Sequence, residues 1–176
     1  PSINHNESLD SYRWSMEKIP ASLDEDYLSP EDETQTALYF VPQSFTTDNY
    51  PGNTESWDAF SNWYRSLAAD RYTLPNEAKK EIKELVKDAS DVKEKIKILY
   101  KYLQKKNRYV AIEMGLAGWQ PQSATQVYTN RYGDCKDLST FMVAMLNAIG
   151  IRAYPALALT KNKGNVNPDE PSYQFN

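Results

Sequence analysis

The hydrophobic period of this chain changes near residue 56, and that change most limits what it can fold into. Before it, residues 11–19 set Tyr12, Trp14 and Met16 against Arg13, Ser15 and Glu17. A repeat of two puts alternate side chains on opposite faces, so this stretch reads as a half-buried strand stopped by Pro20. Residues 35–41 read as a second strand, ended by Pro42. After the change, Trp57, Phe60, Tyr64 and Leu67 recur at helical spacing. The turn-rich stretch 46–56 lies between and is the best domain boundary. Two strands alone are not a stable unit, so they either pack on the rest of the chain or are the tail of a larger β-domain. The expected division is therefore residues 1–50, the C-terminal part of a β-rich domain, and residues 51–176, a second unit. The overall class is α+β.

Helices dominate the second unit. Pro75 can open one, with Ala78, Ile82, Leu85 and Val86 along its apolar face. Ser90 can cap the next, whose stripe is Val92, Ile96, Leu99 and Leu103. Its Lys-rich opposite face reads as solvated, because the whole chain carries a net charge of -4 and a phosphate-backbone binder would be basic. No nucleic-acid partner is expected. Residues 108–113 read as a short strand or extended link, and residues 115–122 as a loop bracketed by Gly115 and Gly118. Ser123 can cap a short helix through Tyr128. A further helix carries Leu138, Phe141, Met142, Met145 and Ile149 inward and stops at Gly150. Residues 151–160 read as a strand, with Pro155 marking an edge or bulge. Residues 173–175 can begin another.

Other segments carry less information. Residues 1–10 are polar and read as ragged. Residues 22–34 hold six acids without the ordered spacing of a calcium loop, so they read as a solvated loop. No metal or cofactor is expected. No apolar run reaches the ~18 residues that a membrane span needs. The chain opens at Pro1 without a signal sequence or an initiator Met, which reads as a processed or excised fragment. A hydrophobic share of 40%, with 13 Tyr and 4 Trp, suffices for a core. Oligomeric state is not legible.

The chemistry gathers at Gly133-Asp134-Cys135-Lys136-Asp137, which holds the only cysteine of the chain. Asp134 is positioned to cap the helix, which places Cys135 in its first turn. There the unpaired N–H groups and the positive end of the helix dipole favour a thiolate, and Lys136 adds positive charge. Asp134 and Asp137 oppose it, so a neighbouring histidine would be needed as ion-pair partner and general acid. The only histidine, His5, is remote in sequence. A lone cysteine can equally be a small buried hydrophobe. Against that, its neighbours are charged and the apolar stripe starts three residues later. A redox or metal role is disfavoured, since there is no second Cys and no His cluster.

The block Tyr132-Gly133-Asp134-Cys135-Lys136-Asp137, the helix after it and Ala148-Ile149-Gly150-Ile151-Arg152-Ala153-Tyr154 resemble the core of the transglutaminase-like superfamily. Tyr109 to Gly115 and Trp119-Gln120-Pro121 fit the same pattern. More narrowly, the chain resembles bacterial proteins that join a DUF3857-type β-rich domain to such a core. The resemblance covers about residues 55–176. It implies a papain-like fold with a nucleophile helix packed on an antiparallel sheet, and a Cys-His-Asp triad in which Cys135 is the nucleophile. The His and Asp would come from strands after residues 151–160, so the sheet is expected to be incomplete at the C-terminus and these 176 residues to have little activity alone. A protein or peptide carboxamide would be the substrate, and a bacterial periplasm or envelope the location. An oxyanion hole needs N–H donors. The Cys135 N–H is one candidate, and Trp119 N–H or the Gln120 or Gln122 amide another; these three also read as a core Trp and surface Gln residues. Asp137 reads as a helix-cap carboxylate. The alternative is a binding or scaffold module that keeps the fold without the chemistry.

Overall fold

Side-chain caps set where most helices begin. The structure is a computed structural model and describes residues 2–6, 9–18, 40–47, 49–111, 118–160, 166–172 and 175. Helix α1 (Trp57–Ala68) starts at Ser56, whose side chain accepts the Ala59 N–H. Helix α2 (Asn76–Leu85) follows Pro75, which has no side-chain cap to offer. Helix α3 (Val92–Lys106) is capped by Asp91, one residue later than the sequence suggests. Ser90 instead bonds the Glu94 carboxylate through its N–H and hydroxyl, at 2.9 and 3.0 Å. Helix α4 (Ala124–Asn130) carries a full capping box between Ser123 and Gln126. Helix α5 (Cys135–Ala148) is capped by Asp134. It ends at Gly150, whose φ of +80° suits glycine, with Ile151 N–H donating to the Leu146 carbonyl.

Two apolar clusters hold these helices together. In the larger, Ala78 and Ile82 of α2, Leu99 and Leu103 of α3, and Val127 of α4 surround Phe141, Ala144 and Met145 of α5. Burying each large side chain contributes roughly 1.5–3 kcal/mol. The stripe on α5 is wider than its sequence period suggests: Thr140, Val143 and Ala144 are buried, whereas Leu138, Met142 and Ile149 are half-buried. The reason is that α5 is enclosed by α2, α3 and α4. Leu85, Val92 and Ile96, expected on apolar faces, are exposed.

The second cluster is aromatic. Phe60, Trp63 and Leu67 of α1 pack under the hairpin formed by β3 (Ser44–Thr47) and β4 (Tyr50–Asn53). Phe45 meets the Trp63 ring edge-on at 4.8 Å. Gly52 allows this approach, since a Cβ there would lie 2.6 Å from the Phe45 ring. The turn-rich stretch 46–56 thus folds largely as a hairpin seated on α1, and a division after residue 50 runs through it.

The sheets are small, which refines the expected α+β architecture. Strands β1 (Ser2–Asn6) and β2 (Leu9–Arg13) pair antiparallel, so the segment expected to be ragged is a hairpin. The ladder ends at Arg13, and Tyr12, Trp14 and Met16 are exposed rather than half-buried. The two aromatic rings pack on each other and on Phe40 instead of a core: Tyr12 stacks on Trp14 at 5.8 Å, and Phe40 meets Trp14 edge-on. Of the strand expected at 35–41, residues 35–39 lie outside the described residues, and Phe40 and Val41 belong to no strand. The acidic stretch 22–34 also lies outside them.

Residues 151–160 keep the expected two-residue alternation of burial but join no ladder among the described residues. A strand needs a hydrogen-bonded neighbour. Here Ile151 and Ala153 pack on the larger cluster, Leu157 on the aromatic one, and the Asn147 side chain accepts the Ala153 N–H. Among the described residues, α5 packs on α2, α3 and α4, and the sheet beside it is small. Its sheet neighbour is a parallel pair, β5 (Arg108–Tyr109) with β6 (Tyr132–Gly133). Of the strand expected at 173–175, only Phe175 is described, stacked on Phe60.

Candidate active site

The start of α5 is fixed by two buried carboxylates. Asp134 is fully buried and Asp137 is 2% exposed. The Asp134 side chain accepts the N–H groups of Lys136 and Asp137, at 3.1 and 3.2 Å, and pairs with the Lys136 ammonium. Asp137 returns the capping box by accepting the Asp134 N–H at 3.1 Å. It also accepts the Gln122 backbone N–H at 2.7 Å and the Gln122 side-chain amide at 2.9 Å. The expected cap role of Asp134 and of Asp137 is thus what the geometry holds. One side chain, Asp137, latches the 119–122 loop to α5.

Gly133 is required beside this latch. A Cβ there would lie 2.6 Å from the Asp137 Cβ, too close for either backbone to stay in place. We expect Gly133→Ala to destabilise the fold by about 1–3 kcal/mol through overpacking. A urea melt checks this; an unchanged midpoint would mean that α5 can shift freely.

Cys135 emerges from this buried base as an exposed free thiol. The first-turn amides of Lys136 and Asp137 are already held by Asp134. Beside this helix start stands a residue to which the sequence gives no role. Tyr109 stands opposite Gly133 in the β5–β6 register. The Arg108 N–H donates to the Arg131 carbonyl at 2.8 Å and the Val110 N–H to the Gly133 carbonyl at 3.0 Å, which locks that register. The Tyr109 phenol feels the charge of Cys135 more than any other influence. It holds its proton to higher pH than an ordinary tyrosine, first because of the charge on Cys135 and then through burial.

The register is anchored from behind. Arg131 closes α4 in the left-handed region at φ 62°, lies 4.4 Å over the Tyr128 ring and donates to the Tyr102 hydroxyl at 3.1 Å. Tyr128 in turn donates to Glu81 of α2 at 3.0 Å.

The loop candidates sit elsewhere. The Trp119 ring packs edge-on against Trp63 at 5.3 Å and Phe60 at 6.1 Å. The Gln120 amide donates to the Leu67 carbonyl at 3.0 Å, and Gln122 is bonded to Asp137. The loop therefore braces α1 against α5. Residues 112–117 of the same connection lie outside the described residues. His5 falls in β1, opposite Asp10.

Tyr64 of α1 is a second residue that the sequence did not single out. Its pKa is pushed up to about 12, mostly by burial, then by the charges of Tyr72, Cys135, Asp134 and Asp137. It also lines a cavity of about 670 Å³ with Trp57, Phe60, Tyr72, Tyr154 and Leu157. An unfolded tyrosine ionises near 10, so between pH 10 and 12 the unfolded chain loses a proton that the folded chain keeps. Stability from this group is full below pH 10 and is lost as pH rises through 12. Allowing for partial exposure, the loss is at most about 2 kcal/mol. Tyr64→Phe should flatten the fall in melting temperature over that range; an equally steep fall in the variant would rule Tyr64 out as its source.

Comparison with known proteins agrees with this architecture. The chain belongs to the transglutaminase-like superfamily, whose family model matches residues 79–173. That span holds α3, α4, α5, most of α2, the 119–122 loop and the Cys135 helix start. The fold is also similar to a crystal structure described as a "putative protease" from Parabacteroides distasonis ATCC 8503, with a TM-score of 0.53 and 18% identity. The match covers 81% of this chain and 28% of that chain, so this chain spans little more than a quarter of that protein's length. A search of curated proteins finds no match.

Proposed function

We propose that this chain carries the nucleophile of a thiol acyl-transfer or amide-hydrolysing enzyme, with Cys135 attacking a protein or peptide carboxamide. The observation that supports this best is an exposed thiol at the first position of a helix whose cap is fully buried, in a chain of the transglutaminase-like superfamily. The Cys135 sulfur would form a bond to the carbonyl carbon, and the C–N bond would break as the amine leaves. A thioester then passes its acyl group to an amine or to water. The two outcomes share every step up to the acceptor. The thiol proton would travel to the leaving amine on a histidine, expected on a strand following residues 151–160, with an aspartate to orient it.

The test uses the full-length natural protein. A glutamine-containing protein and a labelled primary amine are supplied, and the acyl-enzyme is trapped in acid. A mass increase on the Cys135 peptide, with amine incorporation or peptide cleavage, is the expected result. Alkylation of Cys135 by iodoacetamide no faster than that of a model thiol, with no acyl-enzyme, would leave the fold a binding scaffold.

A further inference from the structure

The cavity beside Tyr64 has the size and the walls of a ligand site. Its volume of about 670 Å³ falls within the roughly 300–1,000 Å³ of small-molecule pockets. One wall is a single face of α1, where Trp57, Ser61 and Arg65 follow one another at four-residue steps. Val143 and Asn147 of α5 and the 153–157 stretch form the other side. The floor is apolar: Phe60 is 2% exposed and Val143 7%. Arg65 and Tyr154, both exposed, stand at the mouth. The rings above the floor already meet in aromatic geometries, Trp57 edge-on with Phe60 and Phe175, and Phe60 stacked on Phe175. Such a wall suits a further ring.

The polar groups set the charge of the occupant. Among the described lining residues, Arg65 is the one charged side chain, in a chain whose net charge is -4. No hydrogen bond or ion pair among the described residues engages its guanidinium. The Asn147 side-chain oxygen accepts the Ala153 N–H at 3.2 Å, which leaves its amide N–H groups to donate. The Trp57 indole N–H is spent on the Pro168 carbonyl at 2.6 Å, so that ring offers apolar surface alone. A cation would be repelled by Arg65, and a neutral ligand would leave it without a counterpart. An anion with an apolar body engages both floor and mouth.

We propose that this cavity is a binding site for aromatic carboxylates, with the ring on Phe60 and Val143 and the carboxylate paired with Arg65. A free aryl-alkanoic acid and a peptide that ends in an aromatic residue share this chemistry. The site goes beyond the acyl-transfer reading: its α5 residues, Val143 and Asn147, lie about 12 and 18 Å along the helix from Cys135.

Calorimetric titration of the full-length natural protein tests this with 3-phenylpropionate and its uncharged amide, 3-phenylpropanamide. The acid should bind at least about fivefold more tightly, because a charge-assisted pair forms only with the acid. Arg65→Gln, at an exposed position, should abolish that preference and leave the affinity for the amide within about twofold. Ser61→Trp, which fills the cavity from α1, should abolish binding of both, with circular dichroism and a thermal melt checking the fold. Equal affinity of acid and amide in the natural protein overturns the proposal. So does a preference that survives Arg65→Gln, undiminished binding to folded Ser61→Trp, or binding of neither compound at about 10 mM. Acetyl-Gly-Gly-Phe with a free carboxylate separates the two sources: tighter binding than 3-phenylpropionate assigns the site to peptide ends, and weaker binding assigns it to free acids.

Discussion

Asp137→Ala is expected to cost about 3–5 kcal/mol of folding stability, the largest effect of any single substitution at the site. Three N–H groups converge on this carboxylate: those of Asp134, the Gln122 backbone and the Gln122 side chain. Asp137 is 2% exposed, so water cannot replace it without opening the structure. Each buried donor left without an acceptor costs roughly 1–3 kcal/mol, and the removed methylene and carboxylate leave a void. Asp137→Asn keeps one acceptor oxygen but presents N–H groups to a donor, and is expected to lose about half as much. Urea denaturation of the three proteins measures this directly. A loss below about 1 kcal/mol for alanine would show that the loop and the helix start hold together without the carboxylate.

The second large effect is chemical. In the full-length protein, Cys135→Ala should reduce acyl transfer or peptide cleavage by at least about 10³-fold, because no other thiol exists in this region and removing a nucleophile forfeits the covalent route. Stability should change by less than about 1 kcal/mol, since the exposed thiol packs against little. Cys135→Ser would separate nucleophile strength from shape: it keeps a group of similar size while losing the acidity of the thiol. Retention of more than a tenth of the activity in the alanine variant would move the nucleophile elsewhere.

The contrast between Asp134 and Tyr109 explains how much was legible in the sequence. A cap is a local device. Asp134, Cys135 and Asp137 lie within one helical turn, so their spacing alone announces the start of α5, and Ser123 with Gln126 announces α4 in the same way. Helical stripes such as Phe60 and Leu67 are local too. Tyr109 comes opposite Gly133 only through a parallel two-residue pairing that bridges the 119–122 loop and α4, and no periodicity encodes that register. Tyr64 reaches the site through helix packing and reads in sequence as one more apolar position. Residues 151–160 show the opposite failure. Their alternation is visible and their burial follows it, but a ladder depends on a neighbour that a single segment cannot specify. At β2 the alternation was equally clear, and the rings of Tyr12, Trp14 and Phe40 pack on one another while staying exposed.

The way Asp134 closes the start of α5 has a consequence for what the site can admit. An open helix end presents several amides together, and such a cluster holds phosphates and carboxylates. Here the Lys136 and Asp137 amides are taken by Asp134, the Asp134 amide by Asp137, and the Lys136 ammonium by Asp134 again. A multiply charged anion finds no cradle at that end, only the amide of Cys135. The cap thus acts against competitors: it leaves the helix terminus without the cluster of amides on which phosphates or carboxylates would settle.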